Sequence, residues 1–180
     1  MTPDARGSFV GFGADSVAAV VVGLEPHAAG PVDPALPLPL LIAGWLRDEL
    51  PVTIRGELVA PDADPDACAA LGAALARETT DFALLVVGDG AAKHTDKAPG
   101  YLDERAGPFD DAVAAAMAAA DPAALAALDP ALAAELWASG RAPWQVLAGA
   151  TREGEWKGEL LHSSRPFGVG YHVAVWQRCG

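Results

Sequence analysis

The sequence predicts an α/β domain with a mixed central β-sheet flanked by helices. Three observations carry this expectation. Residues 82–87, Phe-Ala-Leu-Leu-Val-Val, form an unbroken apolar run, the pattern of a strand buried on both faces of a parallel sheet. Asp64-Pro65, Asp121-Pro122 and Asp129-Pro130 each set a capping carboxylate before a proline suited to the first helical position. Strand-like segments on either side of Ser163-Ser164-Arg165-Pro166-Phe167-Gly168 predict a hairpin or two adjacent strands.

Taken in order, residues 1–16 are polar and glycine-rich, and 17–22 read as a short buried strand. A loop over 23–34 leads to a helix over 36–50, with Pro37 and Pro39 tolerated in its first turn. Residues 52–59 alternate, Val52, Ile54 and Leu58 against Thr53, Arg55 and Glu57, which predicts a half-exposed strand. The helix after Asp64 carries Cys68, Leu71 and Leu75 on one stripe. After the 82–87 strand a polar loop runs to about Pro108, where a helix begins with Phe109, Val113 and Met117 facing the core. Short helices follow from Pro122 and from Pro130, the latter closed by Gly140, and another over 143–151. Strands over 156–162 and 169–176 end the chain. The order is β-α-β-α-β, four helical pieces, then β-β, with the 82–87 strand near the sheet centre and one domain spanning 1–180.

A chain of 180 residues can bury a sizeable core, and 52% apolar residues exclude disorder. A formal net charge of −12 repels polyanions, so no nucleic-acid partner is expected. No run reaches the roughly 18 apolar residues of a membrane span, and the start, Met1-Thr2-Pro3-Asp4-Ala5-Arg6, lacks the order of a signal peptide. Two cysteines, Cys68 and Cys179, form no Cys-x-x-Cys pair. Together these features predict a reduced, cytoplasmic protein without membrane contact.

The loop Gly88-Asp89-Gly90-Ala91-Ala92-Lys93-His94 through Tyr101 is the candidate site, because ligands in open α/β sheets sit at the carboxyl ends of strands. Asp89 suits either a base or ligand, or the cap of the following turn. Lys93, His94 and Lys97 form a basic cluster fit to receive a carboxylate or phosphate, or to be neutralised by Asp96, Asp103 and Glu104. The histidines, His27, His94, His162 and His172, show neither His-x-His nor His-x-x-x-His spacing. A metal site from His94, His162 and Asp89 is one arrangement; ordinary hydrogen bonding is the other. Tyr171 can line a pocket with its hydroxyl. No Gly-x-Ser-x-Gly elbow supports a hydrolase.

Three segments together resemble the LigB-like superfamily, which groups class III extradiol ring-cleavage dioxygenases with Memo-like relatives. They are Leu84-Leu85-Val86-Val87-Gly88-Asp89 continuing to Ala98-Pro99-Gly100-Tyr101; Gly107-Pro108-Phe109-Asp110 with the alanine-rich stretch through Asp129-Pro130; and Arg165-Pro166-Phe167-Gly168-Val169-Gly170-Tyr171. The resemblance implies an Fe(II) held by two histidines and a carboxylate, with a further histidine as acid/base. Carried over by position, the acid/base histidine falls at Ala92 and the carboxylate ligand near Ser164. His94, two residues on, is the available substitute. The metal histidines belong to an N-terminal β-α-β part that this chain is expected to lack.

The expectation is therefore a divergent LigB-like protein without the iron centre and inactive in ring cleavage. His94 and Asp89 are its candidate catalytic residues; Lys93, Tyr101, Ser164 and Tyr171 its candidate small-molecule-binding residues. No metal ligand and no cofactor are expected. The alternatives are an Fe(II)-dependent ring-cleavage oxidoreductase and a structural or regulatory oligomerisation module. A small-molecule ligand and a homo-oligomer are the expected partners.

Overall fold

The computed structural model describes residues 4–12, 17–21, 32–50, 54–78 and 83–180, so His27, Val52, Thr53, Phe82 and most of the 23–34 loop lie outside the described residues. The chain divides into two compact units, Met1–Leu58 and Val59–Gly180. Helices combine with antiparallel strands, giving the chain α/β character.

In the first unit, β1 (Asp4–Ser8) pairs antiparallel with β2 (Val17–Val21), from Asp4 opposite Val21 to Ser8 opposite Val17. β2 matches the expected strand; β1 falls in a stretch where polarity hid it. α1 (Leu38–Glu49) starts at Pro37 with Pro39 in its first turn, where a missing N–H costs nothing. Leu36, Leu40 and Leu41 are buried together with Phe9 packed against them.

The second unit holds the remaining elements. α2 (Pro65–Glu78) is capped by the Asp64 carboxylate, which accepts from the N–H groups of Asp66 and Ala67 at 2.9 and 3.2 Å. α3 (Ala106–Ala119) buries Phe109, Val113 and Met117, as their spacing predicts. Asp121 and Asp129 cap α4 (Pro122–Ala126) and α5 (Pro130–Glu135) through the N–H groups of Ala124 and Ala131. α6 (Arg141–Ala150) approaches α2 at glycines: a Cβ on Gly72 would lie 1.9 Å from the Val146 carbonyl oxygen. The stripe Cys68, Leu71 and Leu75 packs there with Ala142 and Val146. β3 (Trp156–Ser164) and β4 (Tyr171–Arg178) form the expected antiparallel hairpin. Its inner residues Leu160, Ala174 and Trp176 cover the core of Phe109, Val113, Met117, Leu125, Leu136 and Trp144. The Trp176 indole N–H donates to the Met117 carbonyl at 2.7 Å, tying hairpin to α3.

Several expectations are corrected. Among the described residues the sheets are two separate antiparallel pairs, not one mixed central sheet. Residues 83–87 form no strand: Val86 packs on the core, but Leu85 is 58% exposed. An apolar run becomes a strand only where neighbours complete its ladder, and no described strand pairs with it. Residues 54–59 are likewise irregular, and Leu58 is exposed. Gly140 does not close α5, which ends at Glu135 and turns through left-handed Trp137; Gly140 precedes α6. α3 and α6 each begin two residues before the proline expected to start them, because proline is accommodated throughout a first turn. No helix among the described residues is long and apolar enough to cross a membrane.

Candidate functional site: a buried histidine–aspartate joint

The loop after residue 88 is fastened to the hairpin by backbone hydrogen bonds. The Gly90 N–H donates to the Gly170 carbonyl at 2.8 Å, the Gly170 N–H to the Ala91 carbonyl at 2.9 Å, and the His94 N–H to the Gly168 carbonyl at 3.1 Å. The loop also closes on itself: the Gly100 N–H donates to Ala92 at 3.0 Å and the Asp103 N–H to Lys93 at 2.9 Å. A long polar segment thereby satisfies its backbone without joining a sheet.

Asp110, in the first turns of α3, sits at the centre. Its side chain is 0% exposed. One carboxylate oxygen, Oδ1, accepts from the Ala91 N–H at 3.1 Å; the other, Oδ2, accepts from His94 Nε2–H at 2.6 Å. The His172 Nε2 stands 3.7 Å from Oδ1, too long for a hydrogen bond but close enough for electrostatic attraction. The His94 and His172 side chains are 6% and 1% exposed. Burial is the strongest influence on the Asp110 carboxyl and would raise its pKa. His172, the Ala91 N–H and His94 together outweigh it and hold the group below the usual carboxylate range. Two glycines make room: a Cβ on Gly90 would lie 2.6 Å from Oδ1, and one on Gly170 would lie 1.8 Å from Oδ2.

The expected site residues separate. His94 turns inward to Asp110. Asp89 is half-buried, and burial pushes its carboxyl up; its backbone N–H donates to the Ser139 hydroxyl and its carbonyl accepts from Gly140. Tyr171 is pushed up by burial and then by the Asp89 charge, which puts these two within electrostatic reach. Ser164 pairs with Tyr171 across the hairpin, and its hydroxyl lies 2.7 Å from His162 Nε2. Lys93 leaves the basic cluster to stand 5.4 Å over the Trp137 ring, while Lys97 is exposed. Tyr101 is 75% exposed on a left-handed backbone at φ 61°. A shallow open depression of about 510 Å³ is lined by Thr95, Asp96, Lys97, Arg165, Phe167 and Gly168.

Asp110 and His172 were not singled out by sequence reasoning, yet each carries a signal. Asp110 occupies the core stripe Ala106, Asp110, Val113, Met117, where a charge demands a partner. His172 shares the inward face of β4 with Ala174 and Trp176.

The iron implied by the resemblance does not fit these residues. Asp110 meets the two histidines on different oxygens, and at His94 the contact is a direct hydrogen bond. Among the described residues, no group of three His, Cys, Asp or Glu side chains is arranged to hold a metal ion. Ala92 is buried with its N–H bonded to Leu136, and Ser164 offers only a hydroxyl. No protein-family model matches the chain, and neither a curated protein nor a solved structure shows significant similarity to it.

Proposed function

We propose that the chain is a divergent LigB-like protein that binds a small anionic or aromatic molecule beside the joint and does not cleave catechol rings. One observation supports this: the three segments on which the resemblance rests meet at one carboxylate. Gly90, Ala91 and His94 come from the first, Asp110 from the second, Gly168 and Gly170 from the third. Asp89, His94 and Tyr171 then border the ligand, with Lys93 available for an anionic group. Self-association through Leu161, Val173 and Val175, all exposed on the hairpin, extends the reading, as does a cytoplasmic setting for free Cys68 and Cys179.

Titration with protocatechuate, followed by amide NMR, tests it. The expected result is shifts at Asp89, His94 and Tyr171, with no ring-opened product even after Fe(II) loading. Turnover that disappears in His94→Gln would replace the proposal with an active dioxygenase. No shift at these amides at millimolar ligand would remove the site.

A further inference from the structure

We propose that Ser163, His172 and Asp110 form a nucleophile relay able to take an acyl group from an activated ester. The relay uses a residue, Ser163, that the ligand-binding reading does not.

A β-bulge creates it. β3 and β4 pair in one register from Trp156 opposite Arg178 to Leu160 opposite Ala174, then resume one residue later with His162 opposite Val173 and Ser163 opposite His172. Uninterrupted pairing would set His162 against His172. The bulge sets a hydroxyl there instead, and re-aiming a side chain is what bulges beside functional sites do. The Ser163 Oγ lies 3.0 Å from His172 Nδ1.

The tautomer follows from the surroundings. His172 Nε2 is buried without a hydrogen-bond partner among the described residues, and the nearest charge is the ionised Asp110 carboxylate at 3.7 Å. A carboxylate favours a proton on the nitrogen facing it. Nε2 therefore carries the proton, and Nδ1 presents its lone pair to Ser163. The hydroxyl belongs to an exposed residue, whereas His172 and Asp110 are shielded from water. An accessible nucleophile, a base within hydrogen-bond reach and an orienting acid are the parts that activate serine.

The step balances with water as co-reactant. Ser163 Oγ attacks the carbonyl carbon while its proton passes to His172 Nδ1. The bond from that carbon to the leaving aryl oxide breaks, and His172 returns the proton to the aryl oxide. Water, deprotonated by the same nitrogen, then cleaves the acyl-serine to a carboxylic acid and free Ser163. The substrate class is an acyl donor with a good leaving group, an aryl ester being the simplest. Arg165 and Phe167, two and four residues along, line the open depression where its aryl part can rest.

The test treats the whole chain with a fluorophosphonate probe and with p-nitrophenyl acetate, mapping adducts by mass spectrometry. The expected result is a single adduct at Ser163, absent in Ser163→Ala and formed on the order of 100-fold more slowly in His172→Gln. Labelling at Ser164 or scattered over several serines would overturn the proposal. Because His172→Gln alters a buried position, Ser163→Cys supplies a second readout. Its thiol should react with iodoacetamide near pH 6 several-fold faster than Cys179, the exposed native cysteine. Alkylation no faster than at Cys179 would equally overturn it.

Discussion

Two aspartates near the start of α3 are both held below the usual carboxylate range, by different means. Asp103 lies just ahead of the helix on the surface. Hydrogen bonds from Arg105, side chain first and then backbone, lower it to about 2. Arg105 also donates to Glu135 at 2.7 Å, and its own pKa is pushed further up. Asp110, within the helix, is fully buried; two histidines and one backbone N–H hold it down against burial. The surface group is the more visibly paired of the two. Water would solvate its partners if they separated, so its pairing adds little to stability. At Asp110 nothing replaces a lost partner, so the buried joint controls whether loop, helix and hairpin stay together.

The comparison breaks most visibly at Asp110 itself. Asp110→Ala should cost about 3–5 kcal/mol by denaturant unfolding, because His94 is left buried without its acceptor and His172 without the carboxylate it faces. A cost no larger than that of an exposed substitution would show the joint to be incidental. Gly170→Ala comes next, at about 3 kcal/mol or failure to fold, since its Cβ would overlap the Asp110 carboxylate, which is fully buried and hydrogen-bonded in place.

Acid unfolding separates the two aspartates by size. A carboxyl lowered in the folded state contributes stability above its unfolded value, near ~3.9, and that stability is lost as pH falls through the folded value. Both groups share this sign. Asp110→Asn should flatten the stability loss below about pH 4, whereas Asp103→Asn should leave the profile unchanged within error. Equal flattening by both would mean that the surface network matters as much as the joint.

The smallest effect has the opposite sign. Burial raises the Asp89 carboxyl, so its contribution is present below the unfolded value and lost as pH rises through the folded one. At neutral pH the ionised group opposes folding, and Asp89→Asn should raise stability by about 0.5 kcal/mol. A loss instead would place a partner on that carboxylate.

The helices were legible because their causes are local. An Asp-Pro start and a fourfold apolar spacing at Phe109, Val113 and Met117 need nothing from the rest of the chain. The hairpin was legible for the same reason, though not its bulge, whose effect depends on the register of both strands. Residues 82–87 misled because a strand needs a neighbour, and an apolar run is silent about neighbours. In the site, His94 stood out as a lone histidine in a glycine-containing loop. Its partner sixteen residues on, Asp110, looked like one acid among many in a chain of net charge −12. Only the fold brings Gly90, Asp110 and Gly170 to one point, and only there do the glycines acquire a reason.

The most direct test of the joint is a double-mutant cycle on His94→Gln and Asp110→Asn, read by denaturant unfolding at neutral pH. A buried hydrogen bond to a charged group predicts a coupling energy of about 1.5–3 kcal/mol between the two positions. Effects that add to within about 0.5 kcal/mol would contradict it, and would mean that His94 and Asp110 do not hold one another.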